Sequence, residues 1–131
     1  MARPTLPDTL AAAIAHLAAD PDVAAIVAEG IGSRLPARAR LPFLAVSRIG
    51  GGADVHAFMD HARLQVDCWA RGEEEAFALA RAAHAALVAL SGPAQGAVVG
   101  GVETTLGFRS LPDPDTGWER VAFEVLVHAH R

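Results

Sequence analysis

Between His61 and Leu90 the chain reads HARLQVDCWARGEEEAFALARAAHAALVAL, and its hydrophobic period changes at Gly72. Before the glycine, Leu64, Val66, Cys68 and Ala70 alternate with Arg63, Gln65, Asp67 and Trp69, the period of two expected of a strand with one buried face. After it, Ala76, Leu79, Ala80, Ala83, Leu87 and Leu90 recur at helical spacing. Glu73, Glu74 and Glu75 fill the first turn, where the helix dipole favours negative charge. Gly92-Pro93 predicts the stop. A strand that feeds an Ala-faced helix implies a helix lying close against a sheet, because small side chains let the two backbones approach.

The flanking segments extend this unit. Thr5 is a candidate cap for a first helix whose apolar stripe is Leu10, Ala13, Ile14 and Leu17, with Asp8 in a capping-box-like position. Asp20-Pro21 predicts a second, short helix, with Asp20 as cap and Pro21 in its first turn; Val23, Ile26 and Val27 turn inward and Gly30 or Gly32 closes it. Strands are expected at Phe43–Ile49, broken by Gly50-Gly51-Gly52, at 62–70, at 97–109 with a bulge near its glycines, and at Trp118–His130. In the third of these Val98, Val102, Leu106 and Phe108 are expected on one face. In the last, Val121, Phe123, Val125 and Val127 point inward against Arg120, Glu124 and His128. The order α-(short α)-β-β-α-β-β predicts a single α+β domain over 1–131, with helices packed on an antiparallel or mixed four-stranded sheet.

Composition narrows the function classes. The chain has 11 basic and 15 acidic residues, a net charge of −4, and no Tyr, which argues against a general nucleic-acid binder. One cysteine, Cys68, excludes an internal disulfide, and its place on the apolar strand face marks it as an inert buried thiol. No apolar run reaches transmembrane length, and the N-terminal run reads as an amphipathic helix rather than a signal peptide. The chain is therefore expected to be soluble and made in a reducing cytoplasm.

Candidate chemistry is sparse. His56, Asp60, His61 and His128 are the residues from which a metal site would be built, but no HExxH or Cys/His ligand pattern accompanies them. The three glutamates are explained by the helix dipole, and Gly50–Asp54 lacks the Gly-Lys-Ser/Thr of a phosphate loop. No serine sits in a nucleophile-elbow setting. Arg34, Arg38 and Arg40 form a basic loop suited to an acidic surface. Two features are left over for a lone subunit. Phe77, Arg81, His84 and Val88 form a second stripe on the long helix, about 100° from the first, and Trp69, Trp118 and Leu126 fall on the polar phases of their strands. Such apolar surplus marks interfaces.

Three passages give the chain a family likeness: DPDVAAIVAEGIGSRLP followed by LPFLAVSRIGG, the His61–Leu90 unit, and SLPDPDTGWERVAFEVLVHAHR with its Pro-Asp-x-x-Thr-Gly turn before the last strand. In order and spacing they resemble the tail terminator, or tail completion and head–tail joining, proteins of long-tailed phages and phage-derived gene transfer agents. The likeness spans nearly the whole chain. It implies a structural virion protein, not an enzyme and without cofactor or membrane. Six copies would form a ring that caps the tail tube, stops its polymerisation and joins it to the head or neck. DNA would pass through without sequence-specific binding. The expected partners are the tube protein and a head–tail connector.

On that reading subunit contacts are expected at Trp69, Phe77, Arg81, His84 and Val88. Tube or neck contacts are expected on loops carrying Arg34, Arg38, Arg40, Asp54, His56, Asp113 and Asp115. Two alternatives stay open at this point: another neck or head-completion connector, and a small metal-dependent enzyme using the His56/Asp60/His61/His128 set.

Overall fold

Alternation is strongest in the two strands that form the centre of the sheet, and the rest of the chain is built outward from them. The structure is a computed structural model that describes residues 3, 5–28, 30–54 and 58–131. Its elements in order are α1 (Thr9–Ala19), α2 (Pro21–Ile26), β1 (Gly30–Gly32), β2 (Phe43–Ala53), β3 (Met59–Ala70), α3 (Glu73–Val88), β4 (Gly92–Ala94), β5 (Ala97–Ser110) and β6 (Glu119–His130). The strands make one six-stranded sheet in the order β1-β2-β3-β6-β5-β4, with β1 parallel to β2 and every other pair antiparallel. The class is α+β with a mixed sheet, as expected, but the sheet has six strands rather than four.

The two extra strands are the three-residue edges β1 and β4. Gly30 and Gly32 do not close α2; they lie in the parallel edge strand. There Gly30 lets the Phe43 ring pack against the backbone, since a Cβ at Gly30 would come 2.6 Å from its Cε2. α3 ends at Val88, short of the expected Leu90 and four residues before Gly92-Pro93, which lies in β4. The triple glycine does not break β2 either. The strand runs on through it to Ala53 with a register shift between Arg48 and Gly50. Gly51, at φ +108°, lies so close to β3 that a Cβ would meet the His61 carbonyl.

One face of the sheet carries the core. Ala62, Leu64, Val66, Cys68 and Ala70 of β3 and Val121, Phe123, Val125, Val127 and Ala129 of β6 are buried under Ala76, Leu79, Ala80, Ala83 and Leu87 of α3 and Ala13 and Leu17 of α1. Alternation survives intact in β3 and β6 because their pairing runs without a register shift. It fails in β5, which shifts between Val99 and Gly101, Thr104 and Leu106, and Leu106 and Arg109. Val98, Val102, Leu106 and Phe108 therefore do not share a face: Val102 lies opposite inward Val127, whereas Leu106 lies opposite outward Glu124. Each bulge adds a residue and turns the following side chains over.

The helix ends follow side-chain chemistry. Asp20 caps α2, its carboxylate accepting from the Asp22 and Val23 N–H groups at 3.0 Å, with Pro21 in the first turn. For α1 the cap is Asp8, which accepts from Ala11 N at 3.0 Å, not Thr5. His16 of α1 donates through Nε2 to the Ala86 carbonyl of α3 at 2.8 Å, tying the two helices together.

Candidate functional site

With the helices on one side, the other face of the sheet has no covering layer among the described residues. Polar and aromatic side chains, with Ala45, Leu106, Ala122 and Leu126 among them, make up this face, and most are half-buried. Near the Trp69 end, Ala122 is fully buried although its register places it on this face. Arg109 lies beside Ala122 on β5 and Asp67 on β3, while Arg120 and Glu124 flank it along β6. Arg109 Nη2 is 3.4 Å from Glu124 Oε2, and Arg120 Nη1 is 4.0 Å from Asp67 Oδ1, too far for a hydrogen bond. Gln65 donates to both Asp67 oxygens at 3.2 Å. The Arg120 guanidinium sits 5.2 Å from the Trp69 ring centre, a cation–π contact. The Nε atoms of Arg109 and Arg120 are both buried and make no hydrogen bond.

Toward the other end, His61 and His128 meet across β3 and β6 with their Nδ1 atoms 2.7 Å apart. His61 Nε2 lies 3.1 Å from Asp54 Oδ1, and His128 Nε2 lies 3.4 Å from Glu103 Oε1.

The described members of the metal set suggested by sequence are not brought together as one site. His61 and His128 do meet, but Asp60 points to the opposite face and is fully buried. Its Oδ2 accepts from Thr9 Oγ1 at 2.6 Å and Arg48 Nη1 at 2.8 Å, and its Oδ1 from Arg48 Nη2 at 2.7 Å. Burial alone would raise the Asp60 pKa; the Arg48 bonds, the Thr9 hydroxyl and the Arg48 charge outweigh it and hold the carboxyl below the usual range. His56 lies outside the described residues. Among those described, no group of three or more His, Cys, Asp and Glu side chains could hold a metal ion.

The second stripe of α3 divides in two. Phe77 and His84 are half-buried, each edge-on to Phe108 of β5, and His84 also packs on Phe123 and lies 2.7 Å from Thr104 Oγ1. Arg81 and Val88 remain exposed, Val88 by 45%. The cover over Phe77 and His84 comes from a bulged strand whose facing is not readable from period alone.

The loops behave differently from one another. Arg34, Arg38 and Arg40 are exposed. Asp113 organises its own turn, accepting from Thr116 Oγ1 at 2.8 Å and Asp115 N at 3.1 Å, and these bonds, the hydroxyl first, lower its pKa. Asp115 is exposed in the same turn. Sequence reasoning singles out Trp69 and Trp118 but passes over Arg109. Its one signal for Arg120 is an outward strand phase.

The family model for tail completion protein gp17 matches residues 11–128 of the chain. The chain belongs to this family. The match takes in every element, leaving out only the first two residues of α1 and the last two of β6. None of the curated proteins compared with the chain matches it. Among solved structures, a chain from the virion of a native gene transfer agent particle has the same fold, with a TM-score of 0.66 at 20% identity, over 93% of this chain and 94% of that one. For a member of the tail completion family, the surfaces of interest are those that meet other protein: the uncovered sheet face, the exposed part of α3 and the loops. No helix among the described residues is long and apolar enough to cross a membrane.

Proposed function

We propose that the chain is a tail terminator: a structural component of a phage or phage-like particle, made in the bacterial cytoplasm and built in near the neck. Six copies form a ring on the finished tail tube, block further addition of tube protein and present a surface to the head–tail connector, and DNA passes through the ring. The observation that carries this reading is the family match across residues 11–128, and the fold likeness to a gene transfer agent virion chain supports it. The subunit also has what an assembly part requires: a sheet face without a cover and large apolar side chains left in solvent, Val88 at 45% and Phe58 at 61% exposure. On this reading Trp69, Arg81 and Val88 lie in subunit contacts, with Phe77 and His84 bracing α3 from behind. The exposed Arg34, Arg38, Arg40, Asp54 and Asp115, with the Asp113 turn, meet tube or neck.

The test is electron microscopy and native mass measurement of the purified protein, alone and with tail tubes of its own particle. Six-membered rings at tube ends, and tubes of fixed length only when the protein is present, are the expected result. A stable monomer that ignores tubes would refute the proposal. Val88→Glu, which leaves the core untouched, should weaken ring formation if α3 lies in the contact.

A further inference from the structure

We infer that subunits join head to tail, with the Trp69–Arg120 end of the open sheet face in one copy seated on the acidic start of α3 in the next. The inference rests on the ring assembly proposed above and names its two surfaces. A guanidinium offers five N–H donors. In this fold Arg120 makes no hydrogen bond with Asp67 at 4.0 Å, Arg109 makes one long contact of 3.4 Å, and both Nε atoms are buried without an acceptor. The enclosed Nε atoms are out of reach of a partner, but 37% of the Arg109 side chain and 32% of the Arg120 side chain stay open, and those open parts suit carboxylates from outside the subunit. Beside the two arginines stand the only two tryptophans of the chain, both half-buried: Trp69 under Arg120, and Trp118 two residues before it. Trp and Arg together are the residue types that dominate binding energy at protein interfaces.

The complementary surface is on the same chain but on its other side. Glu73, Glu74 and Glu75 are exposed at the first turn of α3, and none has an ion-pair partner among the described residues. Glu74 and Glu75 border an open groove of about 610 Å³, lined also by Ala25, Ile26, Gly72 and Ala78. Its alanine and isoleucine wall suits the flat face of an indole or the stem of an arginine, and its glutamates suit a guanidinium. α3 packs on the covered face of the sheet, and no ion pair joins these carboxylates to Arg109 or Arg120 of the same subunit, whose ion-pair partners are Glu124 and Asp67. A neighbouring copy supplies such carboxylates at equal stoichiometry. Two unlike patches on one chain define a heterologous contact, the kind that closes into a ring when the rotation allows.

The experiment compares self-association of the full chain with that of Arg120→Glu, Glu74→Arg, the two combined, and Glu74→Gln/Glu75→Gln, by sedimentation and native mass at low ionic strength. Circular dichroism and thermal unfolding check that each variant is folded. The glutamine pair touches only exposed side chains and keeps the test valid should Arg120→Glu fail to fold. Each single reversal and the glutamine pair should weaken association at least tenfold, raised salt should weaken the wild type, and the combined reversal should restore association to within about threefold. The inference is overturned if wild-type rings form and the glutamine pair or Arg120→Glu assembles equally well, or if the combined reversal restores nothing. A wild-type chain that neither self-associates nor caps tubes overturns the ring proposal together with this inference.

Discussion

Replacing Arg48 with methionine should cost more than replacing its partner, and the reason lies in which member of the pair is buried. Asp60 has no exposed side-chain surface, whereas the Arg48 side chain is 36% exposed. Methionine keeps most of the length of the arginine stem but takes away both guanidinium bonds, 2.7 and 2.8 Å long, and leaves a buried carboxylate held by Thr9 alone. Removing one partner of a buried pair costs about 3–5 kcal/mol. Because the Arg48 side is open to water, which can enter to solvate Oδ1, the expected loss is near the lower end, about 3 kcal/mol. Asp60→Asn leaves a cation that can turn to solvent and a neutral group that still accepts from Thr9, so its cost should be about 1–2 kcal/mol.

Urea unfolding at pH 7, followed by circular dichroism, measures both. The pH dependence adds a second check with a defined sign. The folded pKa of Asp60 lies below its unfolded value of about 3.9. Its stabilising contribution is therefore full above that value and is lost as pH falls through the lower folded one. In Arg48→Met the opposing pull of burial is no longer outweighed, so the carboxyl protonates more readily. The gap between wild type and Arg48→Met should narrow as the solution is acidified. An Arg48→Met loss below about 1 kcal/mol, or an Asp60→Asn loss larger than that of Arg48→Met, would refute the claim that the buried carboxylate is the costly partner.

Gly51→Ala should destabilise by about 3 kcal/mol or more in the same urea assay, since it combines a φ of +108° with a Cβ driven into the His61 carbonyl. Asp20→Ala removes the acceptor of two α2 N–H groups and should cost about 1 kcal/mol. Cys68 is fully buried, and burial, followed by the Asp67 charge, pushes its thiol pKa well up. A disulfide reagent added at pH 8 should therefore leave Cys68 unmodified in the folded protein and label it fully in concentrated urea.

Where one short-range rule governed, the residues could be read directly. Leu64, Val66 and Cys68 alternate because β3 pairs on both sides, and β6 follows β3 without a slip. The Ala stripe of α3 and the Asp20-Pro21 start of α2 depend on helical geometry alone. What escaped depends on pairing. Strands of three residues, β1 and β4, are too short to display a period and exist only because a longer neighbour offers an edge. Gly50 to Gly52 looks like a break because glycine is a poor strand former, yet Gly51 is needed where β2 presses against the His61 carbonyl. Asp60, set between histidines in sequence, reads as a ligand. Only the register shift after Arg48 reveals its true partner, twelve residues away.

The candidate surface follows the same division. The sequence places Trp69 and Arg120 on outward strand phases, and the cross-strand register of β3 and β6 makes them neighbours. Period cannot show that Arg109 joins them, because two of the shifts in β5 lie between Gly101 and Arg109. Nor can it show that their Nε atoms are enclosed without an acceptor. An unsatisfied buried donor costs about 1–3 kcal/mol, more when charged. In a core it would be replaced by an apolar side chain of similar shape. On the sheet face that no helix covers among the described residues, these two arginines lie at the Trp69 end, each with about a third of its side chain still open. In the proposed ring contact the neighbouring copy's carboxylates meet the open parts of Arg109 and Arg120, which gives a physical reason for an α+β subunit to keep charged and aromatic side chains together on an uncovered face.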